Sequence, residues 1–283
     1  MQPPLAPHPG TGQLFPSPVP PGTGWPEDPA TPRTPRARTA EEVARLAGSA
    51  RTLPVLEART SVCRACPRLV EWRERVATSA RRASFADQPY WGRPTQGYGD
   101  PAPRLLVVGL APAANGGNRT GRMFTGDRSG DWIYAALHRA GYARVPWTRY
   151  AGDGQGLVGA RMVATVRCAP PDNKPLPVER DTCAPWLDRE VDLVTPTLRV
   201  VLALGGFGFD GFLASARRLG WSVPRPRPRF RHGVEVPLST PAGAVVPLLA
   251  SYHVSQQNTF TGRLTEAMLD AVLARARALT DLT

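Results

Sequence analysis

Leu105-Leu106-Val107-Val108 runs straight into the loop Gly109-Leu110-Ala111-Pro112-Ala113-Ala114-Asn115-Gly116-Gly117-Asn118-Arg119-Thr120-Gly121-Arg122-Met123-Phe124-Thr125-Gly126-Asp127. The first four residues are apolar without alternation, as expected of a strand buried on both faces. Three later runs read the same way: Met162–Val166, Val200–Leu204 and Val245–Ala250. Helical patterns lie near Leu69–Ala77, Asp131–Ala140, Val178–Val194, Asp210–Leu219 and Leu264–Leu279. Strand, helix and strand in turn predict an α/β chain, with a four-stranded parallel sheet covered by helices. Ligands of such sheets sit outside the carboxyl ends of the strands. The segments to read for chemistry are therefore the loop 109–127, the stretch from Cys168 to Asn173-Lys174, Gly205-Gly206-Phe207-Gly208, and Ser251-Tyr252-His253-Val254-Ser255-Gln256-Gln257-Asn258.

The loop 109–127 lacks G-x-G-x-x-G at the turn and has no Walker lysine, so neither nucleotide-binding fingerprint is present. Its backbone N–H groups and its two arginines, Arg119 and Arg122, could still grip a phosphate. Asp127 precedes a helical start near Ser129, the place of an N-cap. Phe124 suits either a core position or a platform for a base. His253 follows a buried strand and stands beside the polar run Ser255–Asn258.

Four cysteines complete the candidate groups: Cys63-x-x-Cys66, Cys168 and Cys183. No secretory leader pattern is visible, and disulfide frameworks belong to small secreted domains. One shared four-coordinate site is expected, for zinc or for an iron–sulfur cluster.

The net charge of +12 rests almost wholly on arginine, Lys174 being the only lysine. Arginine forks favour phosphates, so an acidic partner is expected, most simply nucleic acid. No apolar stretch approaches the length of a membrane span. Residues 1–40 hold twelve of the 32 prolines and few apolar side chains, which predicts a disordered tail. The folded domain, residues 41–283, is expected to begin after Thr39, read as a helix N-cap. The run Pro224-Arg225-Pro226-Arg227-Pro228-Arg229 predicts an extended basic loop, either a solvated connector or a phosphate contact.

Taken in order, Cys63-Arg64-Ala65-Cys66-Pro67, Tyr90-Trp91-Gly92-Arg93-Pro94, the loop 109–127, Cys168-Ala169-Pro170-Pro171-Asp172-Asn173-Lys174 and Tyr252-His253-Val254-Ser255-Gln256-Gln257-Asn258-Thr259 resemble the family 5 uracil-DNA glycosylases of bacteria and archaea. The resemblance spans roughly residues 55–280. It implies a three-layer α/β/α sandwich and a [4Fe–4S] cluster on Cys63, Cys66, Cys168 and Cys183. It also implies hydrolysis of the N-glycosidic bond of uracil in DNA, carried by Asp127, His253 and Asn173. Gly109, Ala111, Asn118, Arg119, Arg122, Phe124, Gln257 and Asn258 would then contact substrate, with Arg263 near phosphates. A monomer acting on damaged DNA in the cytoplasm, at the nucleoid, is the expected setting. Two departures stand out. Ala113 and Ala114 follow Pro112 where related cluster-bearing glycosylases have an acidic residue, and Ala164 stands where they have an asparagine. Fewer fixed polar partners reject a wrong base less strongly, so hypoxanthine and other damaged bases should also be accepted. The competing readings are a non-catalytic iron–sulfur or zinc nucleic-acid-binding module, and a phosphotransferase using the glycine-rich loop.

Overall fold

The computed structural model describes residues 5–281. Two short strands, β1 (Ala6–Pro7) and β2 (Leu14–Phe15), precede helices α1 (Ala40–Gly48), α2 (Leu53–Ser61) and α3 (Pro67–Thr78). The rest alternates: β3 (Tyr98–Gly99), β4 (Leu105–Gly109), α4 (Gly117–Thr120), α5 (Arg128–Arg139), β5 (Ala160–Ala164), α6 (Pro177–Val194), β6 (Val200–Leu204) and α7 (Gly205–Arg218). It closes with β7 (Glu235–Ser239), β8 (Val245–Ser251), α8 (Gln256–Phe260) and α9 (Glu266–Asp281).

The sheet runs β3-β5-β4-β6-β8-β7. Its four central strands are parallel. Three coincide with apolar runs of the sequence, and β5 starts and ends two residues before the run Met162–Val166. The expected four-stranded sheet is thus extended to six by antiparallel edge strands β3 and β7. Both edges escaped the sequence reading for physical reasons. β3 has two residues, and β7 alternates buried and exposed residues around Pro237, as suits an edge.

The continuous apolar runs follow from the layers. Leu105 and Val107 point to a core shared with α5 and α9, whereas Leu106 and Val108 point to one shared with α6 and α7. Helices α1 and α2 pack outside α6, giving a further apolar layer around Leu46, Leu56 and Trp186. Thr39 caps α1 as predicted, its side chain accepting from the Glu42 N–H.

The predicted disorder of residues 1–40 is not what the structure has over residues 5–39. Phe15, Val19 and Trp25 are buried with Trp91 and Ala151. Trp25 Nε1 donates to the Thr120 carbonyl at 3.3 Å, and Ser17 Oγ accepts from Tyr90 N at 2.7 Å. Asp28 pairs with buried Arg93 at 2.6 Å, and Glu27 pairs with buried Arg122. A segment poor in apolar residues cannot form a core of its own, but it can complete one that already exists. Its prolines also reduce the entropy that folding removes. Residues 1–4 lie outside the described residues.

Candidate active site

At the end of β4 the chain enters a tightly tied loop. Arg119 donates to the carbonyls of Asn115 at 2.9 Å and Gly126 at 2.8 Å, and to Gln88 Oε1 at 2.6 Å. Arg122 holds Glu27 and, at 2.7 Å, Asp153. Asn118 Nδ2 donates to the Arg73 carbonyl at 3.1 Å. These three residues were expected to face substrate or phosphate. They are instead 5%, 2% and 0% exposed, so their donors organise the loop from inside. A sequence shows that an arginine is present but not that carboxylates and carbonyls from residues 27, 88, 126 and 153 will surround it.

The loop ends in Asp127, which is both N-cap and cavity group. Its Oδ1 accepts from Gly130 N at 2.9 Å, opening α5. The carboxyl also lines a cavity of about 770 Å³ together with Asn115, Gly116, Asn173 and Gln256. Burial raises its pKa above the ordinary carboxylate value, opposed by the backbone N–H groups of Gly130 and Ser129. Asn173 comes from the turn Pro171–Asn173 after β5, where Asp172 and Asn173 adopt φ of 52° and 55°. Asn and Asp are the residue types that tolerate this conformation. The structure therefore brings two of the three predicted catalytic residues to one cavity.

Gly116 is a cavity-lining position that the sequence reading passed over. A Cβ there would stand 2.0 Å from Asp127 Oδ2. The Gly116-Gly117 pair was the available signal, since paired glycines after a strand mark close backbone approach. Gly116→Ala should displace the Asp127 carboxylate and lower kcat by roughly 10² or more, because an ångström of misplacement costs about that much. The Tm should fall by only a few degrees; unchanged kcat would show that the close approach is immaterial. Asn115, also missed, is held by the Tyr90 hydroxyl, which donates to its Oδ1 at 2.9 Å.

His253 follows β8. Its imidazole centroid lies 5.9 Å from the Phe124 ring. Asn258, expected at the substrate, uses its Nδ2 to hold the His253 carbonyl at 2.8 Å. Although part of the residue remains exposed, desolvation of the ring lowers its pKa to about 4, so the imidazole is neutral at pH 7. Phe124 is 7% exposed and fills the space that a Cβ on Gly109 would occupy, so Gly109 acts here through packing. Ala111 sits half-buried against the small apolar cluster of Leu69, Val166 and Cys168. Gln257 is exposed on α8, its carbonyl accepting from Thr261 Oγ1 at 2.6 Å.

The four cysteines, all free thiols, line a second, small cavity with Arg73, Arg167 and Trp186. Cys66 opens α3, Cys168 follows β5 and Cys183 projects from α6. Burial, with the other thiols adding to it, pushes Cys66 up to about 12 and raises Cys63 and Cys183. Arg73 Nη1 points at Cys168 Sγ, 2.8 Å away. Arg73 Nε and two nitrogens of Arg167, Nε and Nη1, are buried without any partner among the described residues. Buried guanidinium donors without partners beside four thiols suit an anionic group between them. Among the described residues no three His, Cys, Asp or Glu side chains converge on a point suited to a single ion. Arg73 shares the buried face of α3 with Leu69, Val70 and Val76; a charge in that register was the legible signal.

Comparison with known proteins agrees with this architecture. A profile described as the uracil DNA glycosylase superfamily matches residues 96–277. A type-5 uracil-DNA glycosylase of Mycobacterium bovis is 57% identical over 272 residues, 96% of this chain and 98% of that protein. Proteins of the same name from Thermus thermophilus and Pyrobaculum aerophilum are 48% and 42% identical. They align with 78% and 76% of this chain, and with 95% and 88% of their own lengths. The sheet order, the strand-end cavity and the four grouped thiols thus occur in a chain that belongs to the uracil DNA glycosylase superfamily, in its type-5 branch.

Proposed function

We propose that the chain hydrolyses the N-glycosidic bond of uracil in DNA and so starts base-excision repair. The observation that carries this reading is the half-buried, cavity-facing carboxylate of Asp127, which shares its cavity with Asn173 and lies in the same layer of strand-end loops as neutral His253. The base leaves the stack to reach that cavity. As the bond from C1′ to the base nitrogen breaks, its electron pair goes to the base. The Asp127 carboxylate stabilises the oxocarbenium-like sugar and takes the proton of the attacking water. Asn173 orients that water or the base. Neutral His253 donates a hydrogen bond to the anionic base oxygen and needs no positive charge to do so. The base anion then takes up a proton and Asp127 gives its proton up, so the products are free base and an abasic site, with no lyase step. All three groups come from one chain, which can therefore work as a monomer where chromosomal DNA lies, in the cytoplasm. Among the described residues no helix is long and apolar enough to cross a membrane.

Ala113 and Ala114 present methyl groups to the cavity, and Ala164 is buried in the sheet core. With no polar side chain at these positions to be stranded by a wrong base, hypoxanthine and other damaged bases are substrates as well. The test is base release from matched oligonucleotides carrying uracil or hypoxanthine. DNA binding without release of either base would favour a non-catalytic nucleic-acid-binding module.

Cys63, Cys66, Cys168 and Cys183 would hold a [4Fe–4S] cluster, with Arg73 and Arg167 offsetting its negative charge. When bound it supplies cross-linking of α3, α6 and the segment after β5 rather than electrons, because the hydrolysis involves no redox change. Cys168→Ala should lower iron content and visible absorbance and reduce the Tm by ten degrees or more. A well-folded, fully active variant without iron would refute the structural role.

A further inference from the structure

Between α7 and β7 the chain exposes Arg225, Arg227, Arg229 and Arg231 at alternate positions. Arg227 pairs with Asp210 at 2.6 Å. Among the described residues no carboxylate forms an ion pair with the other three. The intervening residues anchor the segment. Phe230 packs on Phe209 at 5.9 Å and on Tyr252 at 6.1 Å. His232 stacks on Tyr252 at 5.1 Å, and its Nδ1 accepts from Tyr252 N at 3.2 Å. On the same tyrosine ring sits the Arg263 guanidinium, at 4.7 Å. The arginine ridge is thus fastened to the residue beside His253. Past Arg263, Phe260 is 63% exposed beneath Arg128, which reaches the rim of the large cavity.

We infer that the ridge Arg225–Arg231 is a contact surface for the phosphate backbone of the nucleic-acid strand that enters the site. The inference rests on the glycosylase reading for the identity of the strand. Three unpaired guanidinium groups held on one chain segment form an unneutralised positive strip, and a phosphate chain is the partner that supplies matching negative charge at regular spacing. Prolines 224, 226 and 228 stiffen the strip, so little conformational entropy is lost when it engages. Contacts of this kind set affinity and register rather than base choice. The ridge therefore acts on binding and leaves the chemical step alone.

The test compares the full-length, cluster-loaded protein with the triple variant R225A/R229A/R231A. A control variant, R33A/R38A/R45A, removes the same charge from the segment 33–45. Binding of a uracil-free oligonucleotide is measured by fluorescence anisotropy across a salt series. Each phosphate contact contributes about 0.7 to 0.9 to the slope of log K against log salt, so the ridge variant should lose roughly 2 to 3 from it. The KM for base release should rise about tenfold or more at fixed salt while kcat at saturating DNA stays within twofold. The control should change the slope by less than one. Equal slopes for ridge variant, control and wild type would overturn the inference, and so would a ridge variant that loses kcat with its KM unchanged. The slope is read on undamaged DNA. Wild type that binds but releases no base would sink the glycosylase reading while the ridge is still judged. Normal base release with an unchanged slope would do the reverse.

Discussion

Asp127→Asn is expected to slow base release by a factor of about 10² to 10⁴ and to leave the fold as stable as before, or more so. The two halves of that result come from the two jobs of one side chain. As N-cap of α5 the carboxyl accepts from Gly130 N, and asparagine caps about as well. As a cavity group it carries a charge that burial disfavours, which is why its pKa is raised. A raised carboxyl pKa means that the folded protein holds the proton more tightly than the unfolded chain. The ionised form is then a cost that appears as pH rises above the unfolded value of about 4, and it persists at neutral pH. Asparagine removes that cost together with the carboxylate to which we assign the chemistry. Asp127→Ala should be equally slow but less stable by about 1 kcal/mol, because it also removes the cap. The wild-type pH profile follows from the same shift. In the proposed mechanism activity needs the carboxylate, so it should climb as pH rises through the raised Asp127 pKa, with its acid limb above that of an ordinary aspartate. His253, with its pKa near 4, should add no limb between pH 6 and 8. Stopped-time base-release assays and thermal melts on the three proteins measure all of this. Undiminished release by Asp127→Asn would move the catalytic burden to His253 and Asn173.

Arg122→Ala carries the largest expected loss of stability, about 3–5 kcal/mol. The guanidinium is buried against Asp153, whose side chain is fully enclosed, and against Glu27 of the N-terminal segment. It also lies 4.6 Å from the centre of the Tyr98 ring. Burial alone would raise the Asp153 pKa. The Arg149 backbone N–H and the Arg122 charge outweigh it and hold the carboxyl below its ordinary value. A lowered carboxyl pKa contributes stability that is present above the unfolded value of about 4 and is lost as pH falls through the folded one. Without Arg122 the sign reverses: Asp153 keeps the penalty of burial and loses its counter-charge. Arg122→Lys should recover only part of the loss, since an ammonium cannot fork between Glu27 and Asp153. Chemical denaturation gives the stabilities, and limited proteolysis reports whether residues 5–39 come free. A loss under 1 kcal/mol would mean that the site relaxes around the missing charge.

The arginine network shows where sequence reading stops. Arg119 and Arg122 in a glycine-rich loop look the same whether they meet a phosphate or a carboxylate, because charge type is local and the partner is not. Glu27 lies 95 residues from Arg122 in the chain. That pairing also decides that the segment read as disordered is folded, since its few aromatic residues and carboxylates gain their value only against a surface built elsewhere. The N-cap and cavity readings of Asp127 looked like alternatives in sequence. The structure satisfies both at once, as a carboxyl has two oxygens and only Oδ1 is needed for the cap. Gly116 went unread because the reason for a missing Cβ is the atom that would strike it.

By itself the sequence determined what depends on near neighbours and on periodicity. The four parallel strands follow from uninterrupted apolar runs, the helices between them from their spacing, and the α1 cap from Thr39. The cysteine set, the net positive charge and the segments that meet at the carboxyl ends of the strands were equally legible. The tertiary structure alone decided what depends on contacts between distant residues. These are the two edge strands, the folding of residues 5–39, the burial of Arg119 and Arg122, the closeness of Gly116 to Asp127, and the partnerless guanidinium nitrogens beside the four thiols. Burial and electrostatic pairing are properties of space rather than of chain order, so they appear only once the chain has closed on itself.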